Sequence, residues 1–127
     1  MRQRILVAED DEAALDGLRA LLASWGYEVE TASDGRAALE KVASVAPAAV
    51  ITDVVMPTMD GLQLLAAVHR DRPSLPVIVL TGHGSLATRN GALQGGAYGY
   101  LKKPVDVVEL KTLLRNALET GGRQPQV

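Results

Sequence analysis

Residues 48–65 read AAVITDVVMPTMDGLQLL, and within this one stretch the chain changes from one hydrophobic pattern to another. AAVIT (48–52) has the length and residue types of a buried strand. Met56-Pro57 interrupts it, and Asp60 then stands before a segment in which Leu64, Leu65 and Val68 recur at helical spacing. A strand, a loop and a helix follow one another, with an aspartate at the strand exit. Asp60 is placed to cap the helix, which leaves Asp53 without an obvious structural task.

The same alternation extends in both directions. RILVA (4–8), YEVETA (27–32), PVIVLT (76–81) and YGYLK (98–102) read as four further strands. Helical stripes lie between and after them: Leu15, Leu18 and Leu22; Ala38, Val42 and Val45; and Leu110, Leu113, Leu114 and Ala117 in a last helix from about Val105 to Leu118. The segment GSLATRNGALQGGA (84–97) must also be helical if the strands on either side of it run parallel. Gly91 and Gly95 make it a poor helix, at about 1 kcal/mol each relative to Ala, so it is expected to be short or mobile. Nearly continuous apolar strands separated by helices predict a doubly wound α/β domain with a five-stranded parallel sheet and five helices.

Composition bounds the function. The 127 residues suit one domain, and 47% hydrophobic with 22% charged residues is an ordinary soluble balance, with no Phe and no Cys. A net charge of -2 without a Lys/Arg cluster argues against direct nucleic-acid binding and against an anionic membrane surface. The absence of Cys removes disulfide, zinc-thiolate and thiol-nucleophile chemistry. No signal peptide or membrane-spanning segment is read, and a cytoplasmic location is expected. The domain is placed at residues 1–119, and TGGRQPQV (120–127) reads as a flexible tail or the start of a linker.

In an open α/β sheet, ligands bind beyond the carboxyl ends of the strands. Polar residues gather at those ends: Glu9, Asp10, Asp11 and Glu12 after the first strand, Asp53 at the third, Thr81 and Gly82 at the fourth, and Lys103 at the fifth. Taken singly, each has a bland reading: a helix cap for Asp10 or Asp11, a strand end for Thr81, a solvated side chain for Lys103. If the first and third strands are neighbours, Glu9, Asp10 and Asp53 converge, and something positive must sit among them. Hard oxygen donors beside a cleft suit Mg²⁺ completed by a phosphate oxygen.

Together, ILVAEDDE, SDGRAAL, ITDVVMPTMDG, VIVLTGHGS and GAYGYLKKP resemble the receiver domain of bacterial two-component response regulators, over roughly residues 4–118. The resemblance implies the flavodoxin-like strand order 2-1-3-4-5. It implies that Asp53 accepts a phosphoryl group from a phosphohistidine of a sensor histidine kinase or histidine phosphotransfer protein. It also implies that Mg²⁺ is held by Asp10, Asp53, the backbone carbonyl of Val55 and, through water, Glu9. Thr81 and Lys103 match the residues that contact the phosphoryl oxygens, and Tyr100 matches an aromatic switch that turns inward from an outward position. The Lys103–Pro104 bond is expected to be cis.

By the same resemblance, phosphorylation switches the face formed by the fourth helix, fifth strand and fifth helix. That face would meet an output domain or downstream protein, or a second copy on activation. The domain is then a signalling phosphoprotein that assists only its own phosphorylation and dephosphorylation. A single-domain regulator, a phosphorelay shuttle and a receiver cut from a longer chain all remain open, and the tail favours the last.

Gly82 stands where receivers more often carry Ala, and His83 reads as an exposed loop residue. His69, at a helix end, is expected to meet terminal carbonyls, and Trp25 and Tyr27 are expected to pack around a helix stop at Gly26. A haloacid-dehalogenase-like phosphatase needs a second Asp where this chain has Val55, and GHGS lacks the dinucleotide fingerprint. The remaining rival is a protein-interaction module of receiver fold that works without phosphorylation.

Overall fold

The computed structural model describes residues 2–82 and 86–121. Its strands are β1 (Arg4–Ala8), β2 (Glu28–Ala32), β3 (Ala49–Asp53), β4 (Val77–Thr81) and β5 (Gly99–Lys102). The helices that follow them in turn are α1 (Glu12–Ser24), α2 (Gly35–Val45), α3 (Gly61–Asp71), α4 (Leu86–Gln94) and α5 (Val107–Thr120). All strand pairs are parallel, as the hydrophobic pattern predicts, in the order β2-β1-β3-β4-β5 that the resemblance implies.

Alternation along the central strands divides the core in two. Leu6, Val50, Val77 and Val79 face α2, α3 and α4, where they meet Ala38, Val42, Leu64, Leu65, Val68 and Ala92. Ile5, Val7, Ile51, Ile78 and Leu80 face the other way, toward Leu22 of α1 and Leu110 and Leu114 of α5. Each fully buried aliphatic side chain of this kind stabilises the fold by about 1.5–3 kcal/mol. The β1/β3 register sets Ala8 beside Thr52, so Glu9 and Asp53 leave the sheet side by side.

Helix starts follow the local sequence. Asp11, Asp34, Asp60 and Asp106 each accept a backbone N–H from the first turn of α1, α2, α3 and α5. Asp60 and Gln63 form a complete capping box. At the other end of α1, Gly26 takes φ +93°, with Trp25 and Tyr27 packed on the core as expected.

Several boundaries move. Helix α5 begins at Val107 behind its Asp106 cap rather than at Val105, and it runs to Thr120, one residue beyond the expected end of the domain. Leu15 and Leu18 are only partly buried, packed against the second core cluster. Helix α4 has nine residues and buries only Ala92, consistent with its poor sequence; Gly91 lies inside it and Gly95 beyond it. The imidazole of His69 lies against Gly96, where a Cβ would come within 2.6 Å of Nδ1. His69 lies in the last turn of α3, the helix end at which it was expected. His83 and the tail 122–127 lie outside the described residues. No helix among the described residues is long and apolar enough to cross a membrane.

Candidate functional site

Glu9, Asp10, Asp11, Asp53, Val55, Gly82 and Lys103 line a cleft of about 250 Å³ at the carboxyl end of the sheet. Carboxylate oxygens of Glu9, Asp10 and Asp53 all lie within 4.8 Å of one another. Glu9 is 2% exposed, Asp53 is half-buried and Asp10 is exposed. The positive charge that such a cluster demands is Lys103, whose Nζ donates to Glu9 Oε1 at 2.5 Å and to Asp53 Oδ2 at 3.1 Å.

Backbone geometry fixes each group. The Lys103 N–H donates to the carbonyl of Thr81 at 2.8 Å, which ties the residue to the exit of β4, and the Lys103–Pro104 bond is cis as expected. The Val54 N–H donates to Asp53 Oδ1 at 2.8 Å, leaving Oδ2 on the Lys103 side. The Asp11 N–H donates to Glu9 Oε2 at 3.3 Å. Asp11 is therefore both the cap of α1 and part of the site, whereas the sequence left the cap open between it and Asp10.

Burial pushes the Glu9 carboxyl above the ordinary glutamate value, against the opposing hydrogen bonds from Lys103 and Asp11; the charge of Asp53 adds to the rise. For Lys103, burial works to lower the value, but hydrogen bonds and charge from Glu9 and Asp53 outweigh it and hold the ammonium above the ordinary lysine value. The cation is firmly protonated at neutral pH. Among the described residues, the cleft thus holds one fixed positive charge beside the cluster of Glu9, Asp10 and Asp53.

Gly61 supports Asp53 from below. Its N–H donates to the carbonyl of Val54 at 2.7 Å, and a Cβ at this position would come 2.1 Å from the carbonyl oxygen of Asp53. The sequence reading gave Gly61 no role, since the close approach depends on how the loop folds back. Gly82 is exposed, and a Cβ there would meet nothing within 4 Å among the described residues. Thr81 is buried at the end of β4, next to Lys102 in the β4/β5 register.

Tyr100 differs from the expected outward position. Its ring packs on the core cluster that contains Met56, Ala92 and Ala97, and its hydroxyl oxygen is buried without a hydrogen-bond partner among the described residues.

An all-oxygen cluster of three carboxylates beside an open cleft fits a hard divalent cation such as Mg²⁺. The described residues bring Glu9, Asp10, Asp53, Val55 and Lys103 to one cleft; Thr81 lies buried at the end of β4, and Tyr100 packs on the core cluster opposite to that of its neighbour Leu101.

Comparison with known proteins places these features in context. The profile of the family described as "Response regulator receiver domain" matches residues 5–115. Response regulator MprA of Mycolicibacterium vanbaalenii is 43% identical over 118 residues, which make up 93% of this chain and 51% of that protein. MprA of Mycobacterium tuberculosis is 42% identical over the same shares. The chain therefore spans about half the length of the curated relatives it matches. Among solved structures, the signal receiver domain of an HD domain-containing protein from Pseudomonas fluorescens Pf-5 superposes with a TM-score of 0.90 at 38% identity, covering 95% of this chain and 98% of that one. A CheY-like receiver domain from Methanospirillum hungatei gives 0.90 at 33% identity, covering 95% and 97%.

Proposed function

The chain belongs to the response regulator receiver domains of two-component signalling, and from that premise we propose that Asp53 is its phosphoacceptor. The observation that carries this reading is the convergence of Asp53, Glu9, Asp10 and Lys103 in one cleft at the strand exits. The family is a signalling family and not one of classical enzymes, so the chemistry assigned here is confined to the chain's own aspartate.

Asp53 Oδ2 faces the cleft and attacks phosphorus; a new O–P bond forms as the P–N bond to the donor histidine breaks, and the imidazole leaves with the electron pair. No general base is needed, since the nucleophile is a carboxylate. Phosphoryl transfer depends chiefly on in-line positioning and neutralisation of charge. Lys103 supplies a cation already anchored beside Asp53, and the Thr81 hydroxyl is assigned to a phosphoryl oxygen. Asp10, Asp53 and the Val55 carbonyl are the proposed Mg²⁺ ligands, with Glu9 acting through water; the ion would neutralise the developing phosphoryl charge. Glu9 and Lys103 hold each other in place before the donor arrives.

The sensor kinase or phosphotransfer protein approaches this cleft in the cytoplasm. The outcome is read on the face of α4, β5 and α5, with Tyr100 as switch, by an output domain, a downstream protein or a second copy. Helix α4 suits reorganisation because it is short and weakly buried.

The test is intact mass after incubation with acetyl phosphate and Mg²⁺, with Asp53→Ala and EDTA controls. One phosphoryl addition, lost in both controls, is expected. No addition under any condition would leave the chain as a protein-interaction module that works without phosphorylation.

A further inference from the structure

The loop from Val54 to Asp60 carries the Val55 carbonyl, and its root is fixed under Asp53 by Gly61. Its tip is held separately, by a segment some twenty residues earlier in the chain. The Gly35 N–H donates to the carbonyl of Pro57 at 3.3 Å. The Thr58 hydroxyl donates to Asp34 Oδ1 at 3.1 Å and accepts from the Arg36 N–H at 3.2 Å. Asp34 Oδ1 also caps α2 by accepting from the Ala37 N–H at 2.8 Å. These bonds, first that from Ala37 and then that from Thr58, hold the Asp34 carboxyl below its ordinary value.

Two features make the contact more than incidental surface packing. Gly35 meets the loop so closely that a Cβ would lie 2.0 Å from the carbonyl oxygen of Met59. Thr58 has φ +67°, a left-handed conformation that is unfavourable for a β-branched residue and easy for Gly or Asn. The chain holds Thr there with both the donor and the acceptor capacity of its hydroxyl engaged. Strained backbone of this kind persists where the surroundings over-determine it, commonly beside functional sites.

The geometry points to Gly35 and Thr58, seated on Asp34, as positioning residues that clamp the loop tip and so fix the Val55 carbonyl beside Asp53. The inference rests on the assignment of Asp53 and the Mg²⁺ ligands above. Mg²⁺ tolerates little departure from octahedral geometry, so a carbonyl on a loop held at its root alone would bind it less well.

The test uses the whole chain and three variants. Thr58→Val keeps the shape and removes the hydroxyl, Thr58→Ser keeps the hydroxyl, and Gly35→Ala adds the forbidden methyl. Mg²⁺ affinity is measured by isothermal titration calorimetry, stability by urea denaturation in EDTA, and phosphorylation by acetyl phosphate as a function of Mg²⁺ concentration. Thr58→Val and Gly35→Ala are expected to raise the Mg²⁺ Kd about tenfold, the low end for loss of an outer partner of a metal ligand, with Thr58→Ser within about twofold of the parent. The phosphorylation rate of Thr58→Val should return to the parent value at saturating Mg²⁺.

If Thr58→Val lowers the urea midpoint but leaves the Mg²⁺ Kd unchanged, the clamp is merely structural and the proposal fails alone. Should Gly35→Ala not fold, Thr58→Val and Thr58→Ser still decide the matter. A parent chain that neither binds Mg²⁺ nor takes up a phosphoryl group would overturn the assignment of the site, and the clamp with it.

Discussion

Replacing Lys103 by Met removes the one cation that lines the cleft among the described residues, while keeping a stem of similar length. The ammonium is shared between Glu9 and Asp53, whose side chains are only 2% and 14% exposed. Without it the two carboxylates face each other within 4.8 Å. At an effective dielectric constant of about 20, two unit charges at that separation repel by about 3.5 kcal/mol. Glu9 escapes part of this by taking up a proton, because burial already raises its value and the hydrogen bond from Lys103 is the largest influence opposing that rise. A loss of about 2–3 kcal/mol at pH 7 in EDTA is therefore expected, somewhat below the usual penalty for breaking a fully buried pair. Saturating Mg²⁺ should recover more than half of it, since a dication among the same carboxylates relieves the same repulsion. The assay is urea denaturation followed by circular dichroism, for parent and Lys103→Met, with EDTA and with Mg²⁺. A variant within about 0.5 kcal/mol of the parent in EDTA, the range of an ordinary surface substitution, would refute the electrostatic account.

Two further outcomes follow from the same geometry. Asp60→Ala removes the capping box of α3 and should cost about 0.5–2 kcal/mol in urea denaturation, whereas Asp60→Asn, an equally good cap, should cost much less. The raised value of Glu9 means that the folded state holds its proton more tightly than the unfolded chain does, so this group's stabilising contribution is full below the ordinary glutamate value of 4.5 and is lost as pH rises through the folded value. Relative to Glu9→Gln, the parent should thus lose stability as pH climbs through that window in EDTA, and a difference that stays flat with pH would contradict the assigned shift.

What the sequence determined by itself lies within the reach of a few residues. Strand length and helical spacing placed nine of the ten elements, the fourth helix being required by the parallel crossover rather than by its own pattern, and Asp60 declared its cap because a cap and the N–H groups it serves are three residues apart. Acidic, hydroxyl and ammonium groups at the strand exits were legible because the end of an aliphatic run marks the end of a strand. The register was not: that Lys103 reaches Glu9, 94 residues away, depends on β1 lying beside β3 and on β5 closing against β4. Asp11 as a partner of Glu9, Gly35 and Gly61 as points of close backbone approach, and the left-handed Thr58 were likewise settled by how loops from different parts of the chain meet. Tyr100 shows the limit most plainly. The resemblance implied an outward ring, but the tertiary structure packs it on the core cluster and buries its hydroxyl, because which neighbours a side chain on β5 meets is defined only by the assembled sheet and helices.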